Sequence, residues 1–114
     1  MNEFKVNTYT SNDQLNPTVA IDTSGDFVIS WTSSGQDGFG NGIYAQRYNS
    51  AGVAQGSEFR VNSTTTNDQF NPTIAMDTGG DFVISWTSSG QDGFGNGIYA
   101  QRYNSAGVAQ GSEF

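Results

Sequence analysis

The residues able to do chemistry in this chain fall in a short glycine-rich run. Asp37-Gly-Phe-Gly-Asn-Gly42 occurs once, and Asp92-Gly-Phe-Gly-Asn-Gly97 repeats it. Each sets a carboxylate and an amide among glycines, which let backbone carbonyls converge, as calcium loops require. Asp37 and Asp92 are therefore the candidate calcium ligands. The Asp-x-Asp-x-Asp-Gly pattern with a closing bidentate Glu is missing, and a glycine-rich β-loop with an Asx turn explains the same residues. Phe39 and Phe94 sit inside these loops, beside Asn41 and Asn96. A flat ring next to an amide suits a sugar, so these four residues are the candidate glycan-binding positions.

Other chemistries have less to work with. The chain has no His and no Cys. That removes the commonest general base, the commonest zinc ligand and all thiolate chemistry. Every Asp has a twin in an identical setting, whereas paired-carboxylate hydrolysis needs an acid and a base in unlike surroundings. No catalytic residue is assigned. Arg47 shares a face with Ile43 and Ala45, and its expected partner is Asp26 or Asp37. Asp22 and Asp26 flank Ser24-Gly25 and read as turn caps. The formal net charge of −7, with only Lys5, Arg47, Arg60 and Arg102 as cations, argues against nucleic acid and against anionic membranes.

The elements that must position these residues come from a repeat. Glu3–Ser57 matches Glu58–Ser112 at a fixed offset of 55 residues. Eight positions differ: Lys5/Arg60, Thr8/Ser63, Tyr9/Thr64, Ser11/Thr66, Leu15/Phe70, Val19/Ile74, Ile21/Met76 and Ser24/Gly79. Glu113-Phe114 opens a third unit in phase. Within one unit, alternation marks strands at Glu3–Asn7, Thr18–Ile21, Phe27–Thr32 and Ile43–Tyr48, and Ser57–Val61 opens the next cycle. Pro17 is expected as the first residue of its strand, where a missing N–H costs nothing. Thr8–Asn16 and Ser33–Gly42 read as loops, and Asp22–Gly25 and Asn49–Gly52 as turns. No helical periodicity is present.

Four short antiparallel strands per unit, apolar on both faces, predict an all-β fold: a β-propeller of four-stranded blades, two per chain. Its units are 1–57 and 58–114. The phase of the repeat makes Phe4–Val6 an outer strand without a blade of its own, and leaves the second blade without its outer strand in cis. A free edge and uncovered faces favour head-to-tail homo-oligomerisation. Phe4, Val6, Ile43, Tyr44, Phe59, Val61, Ile98 and Tyr99 are the expected assembly residues. The ring is expected to be a trimer of six blades, with a tetramer of eight next, both within the common propeller range.

The run Gly25-Asp-Phe-Val-Ile-Ser-Trp-Thr-Ser-Ser-Gly-Gln-Asp-Gly38, followed by Gly42-Ile-Tyr-Ala-Gln-Arg-Tyr48, resembles the highly repetitive propeller-type repeats of very large secreted bacterial proteins. The near-identity of the units is also similar to recently amplified or designed symmetric propellers. The resemblance implies a blade array and an extracellular or cell-surface parent, and carries no catalytic residues. Met1-Asn2 leads straight into the repeat, so no signal peptide is expected in this chain. Two functions remain open: a structural, self-assembling blade pair without enzymatic activity, or a lectin-like module binding glycans or a surface partner. No cofactor is expected beyond calcium.

Overall fold

The computed structural model describes residues 3–36, 40–63, 65, 67–91 and 95–114. Among these there is no helix, and so none long and apolar enough to cross a membrane. Strands β1 (Gln14–Ile21), β2 (Phe27–Ser34), β3 (Asn41–Tyr48) and β4 (Ala54–Arg60) form one antiparallel meander in the order β1-β2-β3-β4. Strands β5 (Gln69–Met76), β6 (Phe82–Ser89), β7 (Asn96–Tyr103) and β8 (Ala109–Gln110) form the second, in the order β5-β6-β7-β8. Two four-stranded antiparallel sheets are what two propeller blades require. Sheet and repeat boundaries do not coincide, because β4 runs across Ser57-Glu58.

The turns behave as their residues dictate. Asp22 Oδ1 accepts from the N–H groups of Ser24 (2.9 Å) and Asp26 (3.1 Å), and Gly25 takes φ 89°. The Asp side chain thus mimics a turn carbonyl while Gly supplies the left-handed residue. Asn49 does the same for the β3–β4 turn, accepting from Ala51 and Val53 at 3.0 Å each.

Four expectations change. Strand β1 starts at Gln14, and Pro17 lies inside it, where the β1–β2 register shifts between Leu15 and Thr18. Asn16 takes φ 54°, so the missing N–H falls at a bulge instead of a strand end. Strands β2 and β3 run to Ser34 and from Asn41, because Ser33 and Ser34 pair with Gly42 and Asn41; polar strand ends carry no alternation to read. Strand β4 begins at Ala54 and bulges between its pairings with Ala45 and Arg47. The Gln46 amide, 4% exposed, fills that bulge by donating to Gly56 O at 3.1 Å. Finally, Glu3–Asn7 form no strand in the single chain.

The outer strand of the second blade, expected to be missing in cis, is present in shortened form. Strand β8 pairs with Arg102 and Tyr103, and Phe114 exchanges two backbone hydrogen bonds with Ala100 (2.8 and 3.0 Å). Among the described residues none pairs with β7 as residues 60–62 do with β3.

Register defines the two faces of each sheet. Val28, Ser30 and Thr32 pair across with Arg47, Ala45 and Ile43; Phe27, Ile29 and Trp31 pair with Tyr48, Gln46 and Tyr44. Cross-strand partners share a face. The Val28 face of the first blade packs on the Phe82 face of the second, giving a core of Val28, Ile43, Ala45, Val61, Phe82, Ile84, Trp86 and Tyr103. Strand β5 lies against β1, β2 and β3, so the two Pro-containing strands converge on one side. There Asn16 Nδ2 donates to Asn71 Oδ1 at 2.7 Å, a bond between equivalent residues of successive repeats.

Candidate functional site

The residues of greatest interest lie on the blade-to-blade contact and on the two faces that lack one. Ile43, in the middle of β3, is fully buried. Its carbonyl accepts from Val61 N at 2.7 Å, and its N–H donates to the buried Asn62 Oδ1 at 2.7 Å. Phe59 pairs with Ala45, and its ring tilts against Tyr103 of the next blade at 5.5 Å. The stretch after β4 therefore closes one blade's edge while its aromatic seats the following blade.

One repeat later Phe114 keeps the pairing with Ala100, but among the described residues Ile98 has no counterpart of Val61 and Asn62. Ile98 is 73% exposed, against 0% for Ile43, and Val83 is 36% exposed, against 2% for Val28. Tyr99, half-buried, lacks the backbone pairing that Tyr44 makes with Arg60. At the other end of the chain, Phe4 and Val6 stand one repeat ahead of Phe59 and Val61. The Phe4 ring lies 5.4 Å from Tyr48, repeating the Phe59–Tyr103 contact, while its backbone forms no strand. Burial is the larger influence raising the Tyr103 hydroxyl pKa well above 10.0, followed by the nearby Glu113 charge. The Tyr48 hydroxyl is raised for the same reasons, with Glu58 as the neighbour.

Three glycine pairs record the same asymmetry. A methyl on Gly107 would strike the Arg47 side chain, whereas one on Gly52 would meet nothing within 4 Å. A methyl on Gly40 would run into Asp68, while Gly95 has open space. Gly80 lies against Asp22 Oδ2, and its twin Gly25 meets only Ser50 of its own blade. In each pair one glycine meets a side chain of the neighbouring blade and the other does not.

Two carboxylate clamps escaped the sequence reading. Asp68 Oδ1 accepts from Asn41 N at 2.9 Å, tying the second repeat to the first blade's β2–β3 loop. Glu58 accepts from Thr8 N at 2.8 Å and from Gln36 Nε2 at 2.6 Å. Glu113 repeats this with Ser63 N, Ser63 Oγ and Gln91 Nε2. Burial resists ionisation of Glu113, but those three donors outweigh it and hold its pKa below the usual value. The signal for both clamps was an acid repeated in phase beside a polar loop, which does not say which neighbour it meets.

Of the other sequence-derived candidates, Asp37, Phe39, Asp92 and Phe94 lie outside the described residues, and with them the calcium expectation. No group of three or more Asp or Glu able to hold a metal occurs among the described residues. Asn41 is half-buried and paired with Ser34; Asn96 is exposed and paired with Ser89. Trp31 and Trp86 are core residues at 3% and 1% exposure.

Among the described residues Arg47 makes no ion pair with Asp26, one of its two expected partners; the other, Asp37, lies outside them. Arg47 Nη1 donates to Ser105 O at 3.3 Å, across the blade junction. Below it opens a cleft of about 360 Å³, walled by Asp22, Asp26 and Tyr48 on one blade and by Met76, Gly80 and Ser105 on the other. No protein-family profile matches this chain, and no curated protein is similar to it.

Proposed function

We propose that the chain is a structural, self-assembling pair of propeller blades, without catalytic activity, that completes itself head to tail with further copies. The carrying observation is the unequal burial of Ile43 and Ile98, two residues of the same type in identical sequence surroundings. Burying an exposed isoleucine favours association by about 1.5–3 kcal/mol. With Phe114 already on Ala100, the Lys5-Val6-Asn7 segment has the residue types to cover it: Val6 in place of Val61, and the Asn7 amide in place of Asn62. Beyond the edge, the free Val83 face and the Phe27 face of another copy are the same two surfaces that already pack inside the chain.

The interface is heterologous, so it closes as a ring or continues as a filament. The i to i+55 bonds, Asn16 to Asn71 and Thr23 Oγ1 to Thr78 O, can recur at every junction and favour a ring of equivalent blades. A trimer of six blades is the first expectation and a tetramer of eight the second. The repeats resemble those of secreted bacterial arrays, and an extracellular parent is part of this proposal. Native mass spectrometry tests it. A single species at a whole multiple of the chain mass is the expected result, and a folded monomer at micromolar concentration would overturn it.

A further inference from the structure

We infer that the cleft between successive blades is a binding site for a neutral saccharide, one site per blade junction. Its size of about 360 Å³ falls within the range of small-molecule sites, roughly 300–1,000 Å³. Its polar groups are only partly used. Asp22 and Asp26 each commit one oxygen: Asp22 Oδ1 to its own turn, Asp26 Oδ1 to Ser50 N at 2.9 Å. Their Oδ2 atoms make no hydrogen bond among the described residues. Between the blades the Arg47 guanidinium, with five N–H groups, makes one bond among the described residues, to Ser105 O. Carboxylate oxygens and guanidinium N–H groups together accept from and donate to hydroxyls. Val28, Met76 and Phe82 supply the apolar lining that the C–H face of a sugar ring requires. A cationic ligand would meet Arg47 and an anionic one the two carboxylates, whereas a neutral polyol satisfies both.

The second blade carries the open half of the same site. A groove of about 540 Å³ is lined by Asp77, Asp81, Phe82, Val83, Arg102 and Tyr103, each one repeat on from a residue of the first cleft. The other wall would come from Ile21, Ser24, Gly25 and Ser50 of the next copy. This second site rests on the assembly reading; the first is complete in one chain. Two of the eight differences between repeats, Ile21/Met76 and Ser24/Gly79, fall on that wall, so the sites are near-copies.

The test uses methyl glycosides of glucose, galactose, mannose and N-acetylglucosamine, titrated into the full chain by calorimetry and saturation-transfer NMR. The expected result is binding of at least one glycoside, at two sites per chain. Ser105→Trp fills only the cleft within the chain, since Ser105 lines it and not the second groove, and should leave one site; Ile21→Trp fills only the junction cleft and should do the same. The paired Asp26→Asn and Asp81→Asn variant keeps the Oδ1 acceptors. It should weaken binding about tenfold or more, the loss of a charge-assisted hydrogen bond, with the oligomeric mass unchanged. This variant decides the matter if either Trp variant fails to fold. Silence from all four glycosides, full binding by the Ser105→Trp/Ile21→Trp double variant, or undiminished binding by the Asn pair would overturn the site. A monomer that binds one glycoside, lost in Ser105→Trp, would uphold the cleft while removing the assembly reading.

Discussion

Asn62 and Asn7 occupy the same place in the repeat, and their different fates show how much a single side chain can depend on position. Asn62 is 2% exposed and gives Ile43 N–H its acceptor at 2.7 Å. Asn7 donates to Gln14 Oε1 as Asn62 does to Gln69 Oε1, and also to Tyr9 O, but its amide oxygen accepts no strand N–H among the described residues. Asn62→Ala should destabilise the fold by about 1–3 kcal/mol, since it strands a buried donor; urea denaturation measures it. Asn7→Ala should leave the fold of each blade intact and weaken association, read as a shift toward lower mass on dilution. Gly107→Ala combines strain at φ 80° with a clash on Arg47, and should cost more than about 1 kcal/mol. If the assembly forms, Gly52→Ala should be as harmful, because Arg102 of a neighbouring copy would then lie over it. The turn residues were legible in the sequence: Asp22, Asn49 and their glycines act within a few residues of themselves. The partners of Arg47, Asp68 and Glu58 were not, since each lies on a different strand or blade.

At the scale of the strand, local pattern and available edge are separate requirements. Phe4–Val6 alternates as a strand should, yet residues 3–7 have none in the single chain, because backbone hydrogen bonds need a neighbour. The counterpart after β4 has β3 beside it and uses it. Hydrogen exchange reads the difference directly. In the assembled protein the Ile98 amide should be protected as strongly as that of Ile43. In a variant that cannot donate the strand, such as Val6→Asp, it should exchange like a loop amide while Ile43 stays protected. Strand identity and order were accessible from alternation and turn spacing. Strand ends were not: Ser33-Ser34 and Asn41-Gly42 are polar, and Pro17 was placed by a bulge rather than by its own preference.

For the molecule as a whole, the proposed self-assembly makes stability depend on concentration, and titrating groups make it depend on pH. A partner that binds the folded chain raises its melting temperature by mass action. Tm should therefore climb with protein concentration for the parent chain and stay flat for Val6→Asp. Glu113 has a folded pKa below its unfolded value of 4.5. Its contribution is present above pH 4.5 and is lost as the pH falls through the folded pKa. Tyr103 is shifted the opposite way, upward from 10.0. Its contribution is complete below pH 10 and disappears as the pH rises through the folded pKa. Stability should thus be level near neutrality and fall in acid and in strong base. Glu113→Gln should flatten the acid limb, and Tyr103→Phe the alkaline one, in thermal melts across pH.

The order of residues alone determined the period, the all-β class, four strands per unit and the turn chemistry, because these are set by neighbours in the chain. The tertiary structure decided which face of one sheet meets which face of the next, and hence that Ile43 is covered while Ile98 is not. It also decided that Arg47 reaches across a junction to Ser105. Two copies of one sequence carry identical local information, and only packing, which needs a body on each side, can tell an interior blade face from a terminal one.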